Sequence, residues 1–371
     1  MNDINDITEI TLRFISNHID PFIKDWEDKK WFPNKVFKDL AQQGFLGLIA
    51  PQELGGLGLS RSEAIQWCLT FGRIRSLGFS VAVCMHSLVC LNTILQHGNQ
   101  SQIKELVPKA IRGEEILAYA FTEPNAGSDL KNISCRVALS NGSLAISGTK
   151  TFITNGARAT VIITYAKDDS GSSLYLVRPN SNTSRTKLEK LGWHCSDTAL
   201  INFSGDEQVE LLGDKKGRGW SQILESLSFE RAMLAALGIG FSETLLEDTL
   251  DYTKNRQAFG KTLATIPLIS SYLEGFNKKL RFLKKMLEEC CDRNFEIKFT
   301  SAFKAFCCDS LLEMADLCLQ FHGGYGYSTD YFPEMAYRDL RLLPIGGGAR
   351  EVIYDYVYRK LNSEAKLKVV Y

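Results

Sequence analysis

The sequence carries no net charge, since its 43 lysines and arginines equal its 43 aspartates and glutamates. Without an excess of one sign, no long-range field draws the chain to nucleic acid or to anionic lipid. Metal-ligand spacing is also missing, because the ten cysteines form no C-x-x-C pair and the five histidines are scattered. A chain of 371 residues needs no disulfide framework, so we expect reduced, mostly buried thiols. We expect neither a metal nor a nucleic-acid partner.

Long apolar runs are absent as well. No window holds about eighteen uninterrupted apolar residues, the length at which a helix spans a membrane. The nearest, residues 79–95, is interrupted by His86-Ser87 and Asn92-Thr93, and it predicts a buried core helix. The first six residues are acidic and lack the basic start and apolar stretch of a signal peptide. We therefore expect a cytoplasmic protein with no membrane partner.

The spacing of apolar residues changes along the chain. In the first part apolar residues recur at spacings of three and four, as in Ile10, Phe14 and Ile15, which predicts helices. Short apolar runs separated by turn residues follow, and then the helical period returns. We predict an α+β multidomain fold with an N-terminal α-helical domain over 1–115, a central β-barrel or sandwich domain over 116–225, and a C-terminal four-helix bundle over 226–371.

Local signals refine this prediction. Asn141-Gly142 is a strong hairpin signal, and a second hairpin is expected around residues 168–171. Gly98 is a typical helix end, and Asn99 with Gln102 three residues later predicts the start of the next helix.

Two polar segments open the strand region. Residues 119–129 read Y-A-F-T-E-P-N-A-G-S-D, and residues 150–156 read K-T-F-I-T-N-G. Hydroxyls, glycine and exposed backbone N–H groups in a turn suit a polar ring edge or a diphosphate. Taken alone, such a segment is more often just a turn.

Together these segments resemble the A-x-T-E-P-x-A-G-S-D and K-x-[WF]-I-T-N-G signatures of the acyl-CoA dehydrogenase family. Further matches follow in family order: R-Q-A-F-G at 256–260, Q-F-H-G-G-Y-G-Y at 320–327, R-D-L-R at 338–341 and P-I-G-G-G-A-R-E at 344–351. The resemblance covers essentially the whole chain and agrees with the α, β, α order.

The resemblance implies FAD as the cofactor, held between the β domain and the C-terminal bundle, in a homotetramer. The residues that it places against the flavin and diphosphate are Phe121, Thr122, Gly127, Ser128, Phe152 and Thr154. It implies that Arg256, Phe259, Gln320 and Gly324 contact the FAD of a neighbouring subunit. It also implies that Ala349 and Glu351 contact the cofactor. Read singly, Arg256 is equally a solvated helix charge and residues 320–327 a helix C-cap.

The family reaction is α,β-desaturation of an acyl thioester, in which a base takes the α-proton and a hydride passes to flavin N5. Many members carry the base in an I-Y-E-G-T motif, but here Gly347 takes the glutamate's place. The isovaleryl and long-chain branches carry it in an earlier E-R pair, which corresponds to Glu230 and Arg231. We predict Glu230 as the base, with a pKa raised by burial beside an apolar pocket. The competing interpretation is a simple partner for Arg231.

Three further residues are expected at the substrate: Ser128, Arg231, which is alternatively structural, and Gly347 through its backbone N–H. Three departures from the family pattern are Ser228 in place of a common aspartate, Ile266-Pro267 in place of Phe-Gln, and Ala349 in place of threonine. His194 is expected to be a neutral turn residue.

The substrate and electron acceptor stay open at this point. The thioester is carried either by coenzyme A or by an acyl or peptidyl carrier protein, as in relatives that oxidise prolyl groups. The electrons pass to an electron-transfer flavoprotein or, in an oxidase, to oxygen. A flavin-binding relative without dehydrogenase activity is a third alternative.

Overall fold

A computed structural model describes residues 4–140 and 142–365; Asn141, at the tip of the first predicted hairpin, lies outside this range. The first part is helical, as expected. Its helices are α1 (Ile4–Phe14), α2 (Asp20–Asp28), α3 (Lys35–Gln42), α4 (Arg61–Phe71), α5 (Leu77–Cys84), α6 (Leu91–His97) and α7 (Gln100–Ile111).

Two short π-helical segments join neighbouring helices, Ile15–Ile19 between α1 and α2 and Met85–Cys90 between α5 and α6. The second makes Leu77–His97 one continuous helix, which passes a length and hydropathy test for a membrane span. All of its most apolar window is buried inside the protein, as predicted for a core helix. The predicted start of α7 is confirmed, because Asn99 and Gln102 form a reciprocal capping box.

The central region is one eight-stranded sheet. Its strands are β1 (Leu117–Ala120), β2 (Arg136–Ser140), β3 (Ser143–Ile153), β4 (Val161–Asp168), β5 (Gly171–Arg178), β6 (Ser184–Lys187), β7 (Ala199–Phe203) and β8 (Gln208–Leu211). The order is β6-β7-β3-β2-β4-β5-β8, and β1 pairs in parallel with β4. Both predicted hairpins are present as antiparallel pairs, β2 with β3 and β4 with β5. The sheet has a small core of its own around Ile146, Ile162 and Tyr175.

The last part returns to helices. A small hairpin of β9 (Gln257–Ala258) and β10 (Lys261–Thr262) separates the first two. The helices are α8 (Gly219–Asn255), α9 (Pro267–Asp292), α10 (Ile297–His322), α11 (Phe332–Leu340) and α12 (Arg350–Ala365). Helix α8 begins at Gly219, ahead of the boundary predicted at 226, and residues 212–218 connect it to β8.

Helix α8 is the centre of the molecule. It packs against α4, α9, α10 and α11, and one continuous hydrophobic core joins helices from both ends of the chain. Its contact with α4 requires glycine, because a Cβ on Gly240 would lie 2.0 Å from the carbonyl oxygen of Leu69. This close crossing fixes the helix that carries the predicted base against the N-terminal helices.

Candidate active site

All three regions of the chain line one cavity of about 690 Å³. The predicted site residues that it brings together are Phe121, Thr122, Gly127, Ser128, Phe152, Thr154, Glu230, Gly347 and Ala349. Much of the remaining wall is apolar and comes from Val81, Met85, Tyr119 and Leu234. The predicted site residues come from motifs that are spread over more than two hundred positions of the sequence. The fold therefore brings them together around one cavity.

A buried ion pair holds the turn that follows β1. Lys150 Nζ lies 2.8 Å from Glu123 Oε1 and donates to the carbonyl of Phe121 at 2.9 Å. Both side chains are fully excluded from solvent. Glu123 in turn accepts backbone N–H bonds from Ser134 and Cys135. These buried contacts fix the turn on its protein side, and the atoms on its other side, including those of Thr122, face the cavity.

The end of β3 presents an aromatic ring to the same cavity. Phe152 is 67% exposed and has a φ of 58°, a backbone conformation that a bulky residue rarely adopts. The pairing of β3 with β7 shifts register between Lys150 and Ile153, which accounts for this conformation. An exposed aromatic face held in a strained conformation is suited to stacking on a planar ring.

Glu230 brings a carboxylate to the cavity from α8. Within the described residues, no hydrogen bond or ion pair joins this carboxylate to the protein, and burial raises its pKa. The positive charges of Arg231 and Lys304 oppose this shift. The other carboxylate at the cavity, Glu189, is exposed and paired with Lys30, which lowers its pKa. Glu230 is therefore the carboxylate placed to accept a proton inside the cavity.

The loop before α12 faces Glu230. A Cβ built on Gly347 would lie 3.9 Å from Glu230 Oε1 and 2.8 Å from Leu234 Cδ1. Gly347 and Gly348 have φ values of 64° and 104°, in the region that favours glycine. A side chain at 347 would occupy the space next to Glu230, which explains why glycine stands there when the carboxylate comes from α8.

Arg231 turns away from the cavity. Its Nε donates to the carbonyl of Gly347 at 2.9 Å, and its Nη1 donates to Ser301 Oγ at 2.6 Å. Lys304 on α10 donates to the carbonyls of the two flanking residues, Gly346 and Gly348. Of its two predicted roles, Arg231 thus has the contacts of the structural one.

The remaining predicted cofactor residues lie outside this cavity. Arg256 and Gly324 line a separate open cleft, where the Arg256 guanidinium carbon is 5.4 Å from the centre of the Tyr325 ring. Phe259, at the tip of the β9–β10 hairpin, is 98% exposed. Gln320 is exposed on α10 and does not line either space, and Glu351 is exposed and paired with Arg350. A single chain does not bring these residues to the first site.

Two of the departures from the family pattern have structural roles. Ser228 is buried and donates to the carbonyl of Phe295 rather than facing the cavity. Pro267 occupies the first turn of α9, where its missing N–H is not needed. His194, half-buried in a turn, lies 3.0 Å from the carbonyl of Lys190 through Nε2. Its position agrees with the expected turn residue.

Sequence reasoning missed two groups beside the cavity. Asp339 is fully buried and accepts N–H bonds from Trp193 at 2.6 Å and Leu77 at 3.1 Å. Burial and the nearby Glu27 raise the pKa of Asp339 to about 7. Arg341 lines the cavity, and its Nη1 is buried without a hydrogen-bond partner among the described residues. Both belong to the R-D-L-R motif, which signalled the family but not these contacts.

Comparison with known proteins agrees with this architecture. Three domain families match in order: the acyl-CoA dehydrogenase N-terminal domain over residues 2–114, its middle domain over 118–205 and its C-terminal domain over 217–362. The chain therefore belongs to the acyl-CoA dehydrogenase family, whose members are oxidoreductases that act on CH–CH bonds and use FAD.

Curated relatives include members of the two branches named above. The long-chain specific acyl-CoA dehydrogenase of Sus scrofa is 30% identical over 372 residues, covering 95% of this chain and 85% of the relative. The isovaleryl-CoA dehydrogenase of Arabidopsis thaliana is 28% identical, covering 96% of this chain and 90% of the relative.

Solved structures extend the similarity. An acyl-CoA dehydrogenase from Geobacillus kaustophilus superposes with a TM-score of 0.91 at 27% identity, covering 97% of this chain and 98% of the other. The prolyl acyl carrier protein oxidase AnaB gives 0.90 at 21% identity, covering 96% and 98%. PigA with FAD and proline gives 0.90 at 24% identity, covering 98% of each chain. At these lower identities the last two show a shared fold.

Proposed function

We propose that this chain is a FAD-dependent enzyme that desaturates an acyl thioester between Cα and Cβ, with Glu230 as the catalytic base. One observation carries the proposal: a carboxylate that makes no hydrogen bond or ion pair with the described residues lines an apolar cavity, opposite a glycine loop that leaves room for it. A relative that only binds flavin has no need of such a group, so this carboxylate favours an enzyme.

The residues at the cavity fit FAD. Phe152 offers an aromatic face, and a Cβ built on Gly127 would meet no atom within 4 Å, which leaves space beside the turn. The Nη1 of Arg341 has no hydrogen-bond partner in the described part of the chain, and this charged donor is suited to an oxygen of the cofactor or substrate. Thr122, Ser128 and Thr154 add hydroxyls. When bound, FAD accepts the hydride from the β-carbon.

The protein's own part in the reaction is proton removal and orientation. Glu230 takes the α-proton, the electrons of that C–H bond form the Cα–Cβ double bond, and the β-hydrogen leaves with its electron pair. While the proton moves, negative charge develops on the thioester oxygen, which needs hydrogen-bond donors. The apolar wall around Met85 and Leu234 orients the acyl chain and excludes water.

The thioester carrier is coenzyme A or a carrier protein. The curated relatives are named as CoA enzymes, which supports coenzyme A as the first candidate. The shared fold with AnaB and PigA supports a prolyl or other acyl group on a carrier protein as the second. Both carriers end in the same pantetheine arm, so one cavity serves either. The acceptor of the electrons is an electron-transfer flavoprotein or, in the oxidase alternative, oxygen.

The assembly that we propose is a homotetramer. Phe259 is almost fully exposed with a φ of 52°, and the cleft that contains Arg256 is open to solvent in a single chain. A neighbouring subunit that covers this hairpin would bring Arg256, Phe259, Gln320 and Gly324 to a second cofactor.

The test is anaerobic bleaching of the bound flavin by acyl groups on coenzyme A and on a phosphopantetheinylated carrier protein, prolyl included. We expect Glu230→Gln to slow bleaching by about 10³-fold, because general-base catalysis is lost. The matched control, Glu225→Gln, changes an exposed carboxylate on the same helix and should bleach at the wild-type rate. Purified protein without flavin, or an unaffected Glu230→Gln variant, would overturn the proposal. Oxygen consumption without another acceptor would identify an oxidase.

A further inference from the structure

The loop opposite Glu230 is built from three glycines in succession, so no side chain of its own can fix its shape. Instead, all three of its carbonyl oxygens accept hydrogen bonds from two cationic side chains. Lys304 Nζ donates to Gly346 O at 2.6 Å and to Gly348 O at 3.1 Å. Arg231 Nε donates to the oxygen between them, on Gly347, at 2.9 Å.

The hydrogen bonds to these carbonyl oxygens also fix the direction in which the backbone N–H groups of the loop point. In a trans peptide the C=O of one residue and the N–H of the next point in opposite directions. The ties on Gly346 O and Gly347 O therefore turn the N–H groups of Gly347 and Gly348 away from the two cations. Neither cation lines the cavity, whereas the three glycines do. Within the described part of the chain, no acceptor is bonded to either N–H group.

The chemistry of Lys304 fits this task. Its side chain is completely buried, and burial lowers its pKa. An ammonium has three donors, so it can bond two carbonyls at once, and a buried charge is tolerated only when it is bonded in this way. Lys304 also places a positive charge behind the amides, where it strengthens their attraction for an oxygen that gains negative charge.

We propose that Lys304, together with Arg231, is a positioning pair that turns the Gly347 and Gly348 amides into the cavity as donors to the thioester oxygen. The inference rests on the proposed function, because it assigns to the loop the charge that develops when Glu230 takes the α-proton. Both side chains act through the loop and touch no reacting atom.

The test uses two probes on pantetheine, the arm that coenzyme A and carrier proteins share. Acetoacetyl-pantetheine readily loses its C2 proton and presents a negatively charged oxygen. S-butyl-pantetheine is a thioether that keeps the amides of the arm but lacks the thioester carbonyl oxygen. Binding of each to the flavin-loaded protein is measured by titration calorimetry, with the melting temperature recorded alongside.

We expect Lys304→Met to raise the Kd for acetoacetyl-pantetheine by about 30-fold and the Kd for S-butyl-pantetheine by less than about threefold. Lys304→Arg, which keeps the charge, should recover most of the loss. The control is Lys279→Met. Lys279 is a partly exposed lysine on α9 that pairs with Glu313 on α10, the helix that carries Lys304, and it makes no contact with the glycine loop. An equal rise for both probes, or no rise in a variant of native melting temperature, would overturn the inference.

If Lys304→Met does not fold, Ser301→Ala provides the same test in a milder form. It removes the hydroxyl that accepts from Arg231 Nη1 at 2.6 Å and should raise the Kd for acetoacetyl-pantetheine alone, by about fivefold. An unchanged or parallel response of the two probes would again contradict the inference. Wild-type protein that binds neither probe would instead refute the proposed function, so the two failures are distinguishable.

Discussion

Two opposing effects determine the pKa of the Glu230 carboxylate. Burial raises its pKa, and the positive charges of Arg231 and Lys304 limit that rise. A base must be ionised to accept a proton, yet it is more effective when its pKa lies near the working pH. The pair that holds the glycine loop therefore also sets how basic Glu230 becomes.

This balance predicts a pH dependence. Because only ionised Glu230 takes the proton, the rate of flavin reduction should rise with pH along a limb centred above the ordinary carboxylate pKa of 4.5. Replacing Lys304 by Met removes an opposing positive charge and should move the limb to higher pH, while Lys279→Met should not. Stopped-flow reduction across pH 5–9 measures both. A limb at the same pH in all three proteins would contradict this account.

Gly347 gives a second prediction at a single position. Gly347→Ala would place a methyl 2.8 Å from Leu234 Cδ1 at a φ of 64°, a backbone conformation that residues with a side chain rarely adopt, so the strain favours a shifted loop with shifted amides. We expect a loss of about 10²-fold in flavin reduction. Gly275→Ala, on α9 with no atom within 4 Å of the new methyl, is the control and should react normally. An active Gly347→Ala enzyme would show that the loop tolerates another shape.

The sequence predicts some of these residues and not others. Matching motifs in the sequence show that glycine replaces the glutamate at 347 and that a Glu-Arg pair stands at 230 and 231. The base could therefore be proposed from the sequence alone. Lys304 and Asp339 act on backbone groups of distant segments, and no sequence pattern displays a backbone carbonyl or N–H. Arg256 and Phe259 are recognisable in a motif, but the cofactor contacts proposed for them require a neighbouring subunit and are not made within one chain.

Among the elements, α11 has a role beyond packing. Through Asp339 it holds the N–H of Trp193 in the turn at the cavity wall and the N–H of Leu77 at the start of α5. One carboxylate thus joins the C-terminal helices, the sheet region and the N-terminal helices. Glu27 and Arg338 are the neighbouring charges that act on it in opposite directions.

The raised pKa of Asp339 predicts how stability varies with pH. Since its pKa is about 7 in the folded protein and 3.8 in its ordinary state, ionisation costs folding free energy. That contribution is fully favourable below the ordinary pKa and is lost as pH rises through 7. The melting temperature of the wild type should therefore fall relative to Asp339→Asn between pH 5 and 8. Asp251→Asn, on the exposed side of α8, is the control. A constant difference would show that Asp339 stays ionised.

The whole molecule predicts a link between assembly and cofactor. If a neighbouring subunit covers the β9–β10 hairpin, dilution should release flavin together with subunits, because binding partners stabilise each other by mass action. Phe259→Ser should weaken the tetramer and lower flavin retention at sub-micromolar protein. Leu139→Ser, at an exposed residue of β2, is the control. Sedimentation with flavin absorbance measures both, and a monomer that keeps its flavin would contradict the proposed assembly.

The glycine crossing of α8 with α4 has a consequence for substrate range. Because α8 packs so closely on the Leu69 carbonyl that no Cβ fits on Gly240, a shift of α8 toward α4 would make backbone atoms overlap, and this contact helps to hold the backbone that carries Glu230. Adaptation to longer or shorter acyl chains must then come from deformable side chains around it. Met85, unbranched and adjustable, lines the same cavity from a π-helical turn. Evolution toward a new acyl length would change this methionine and its neighbours while the geometry of proton removal stays constant.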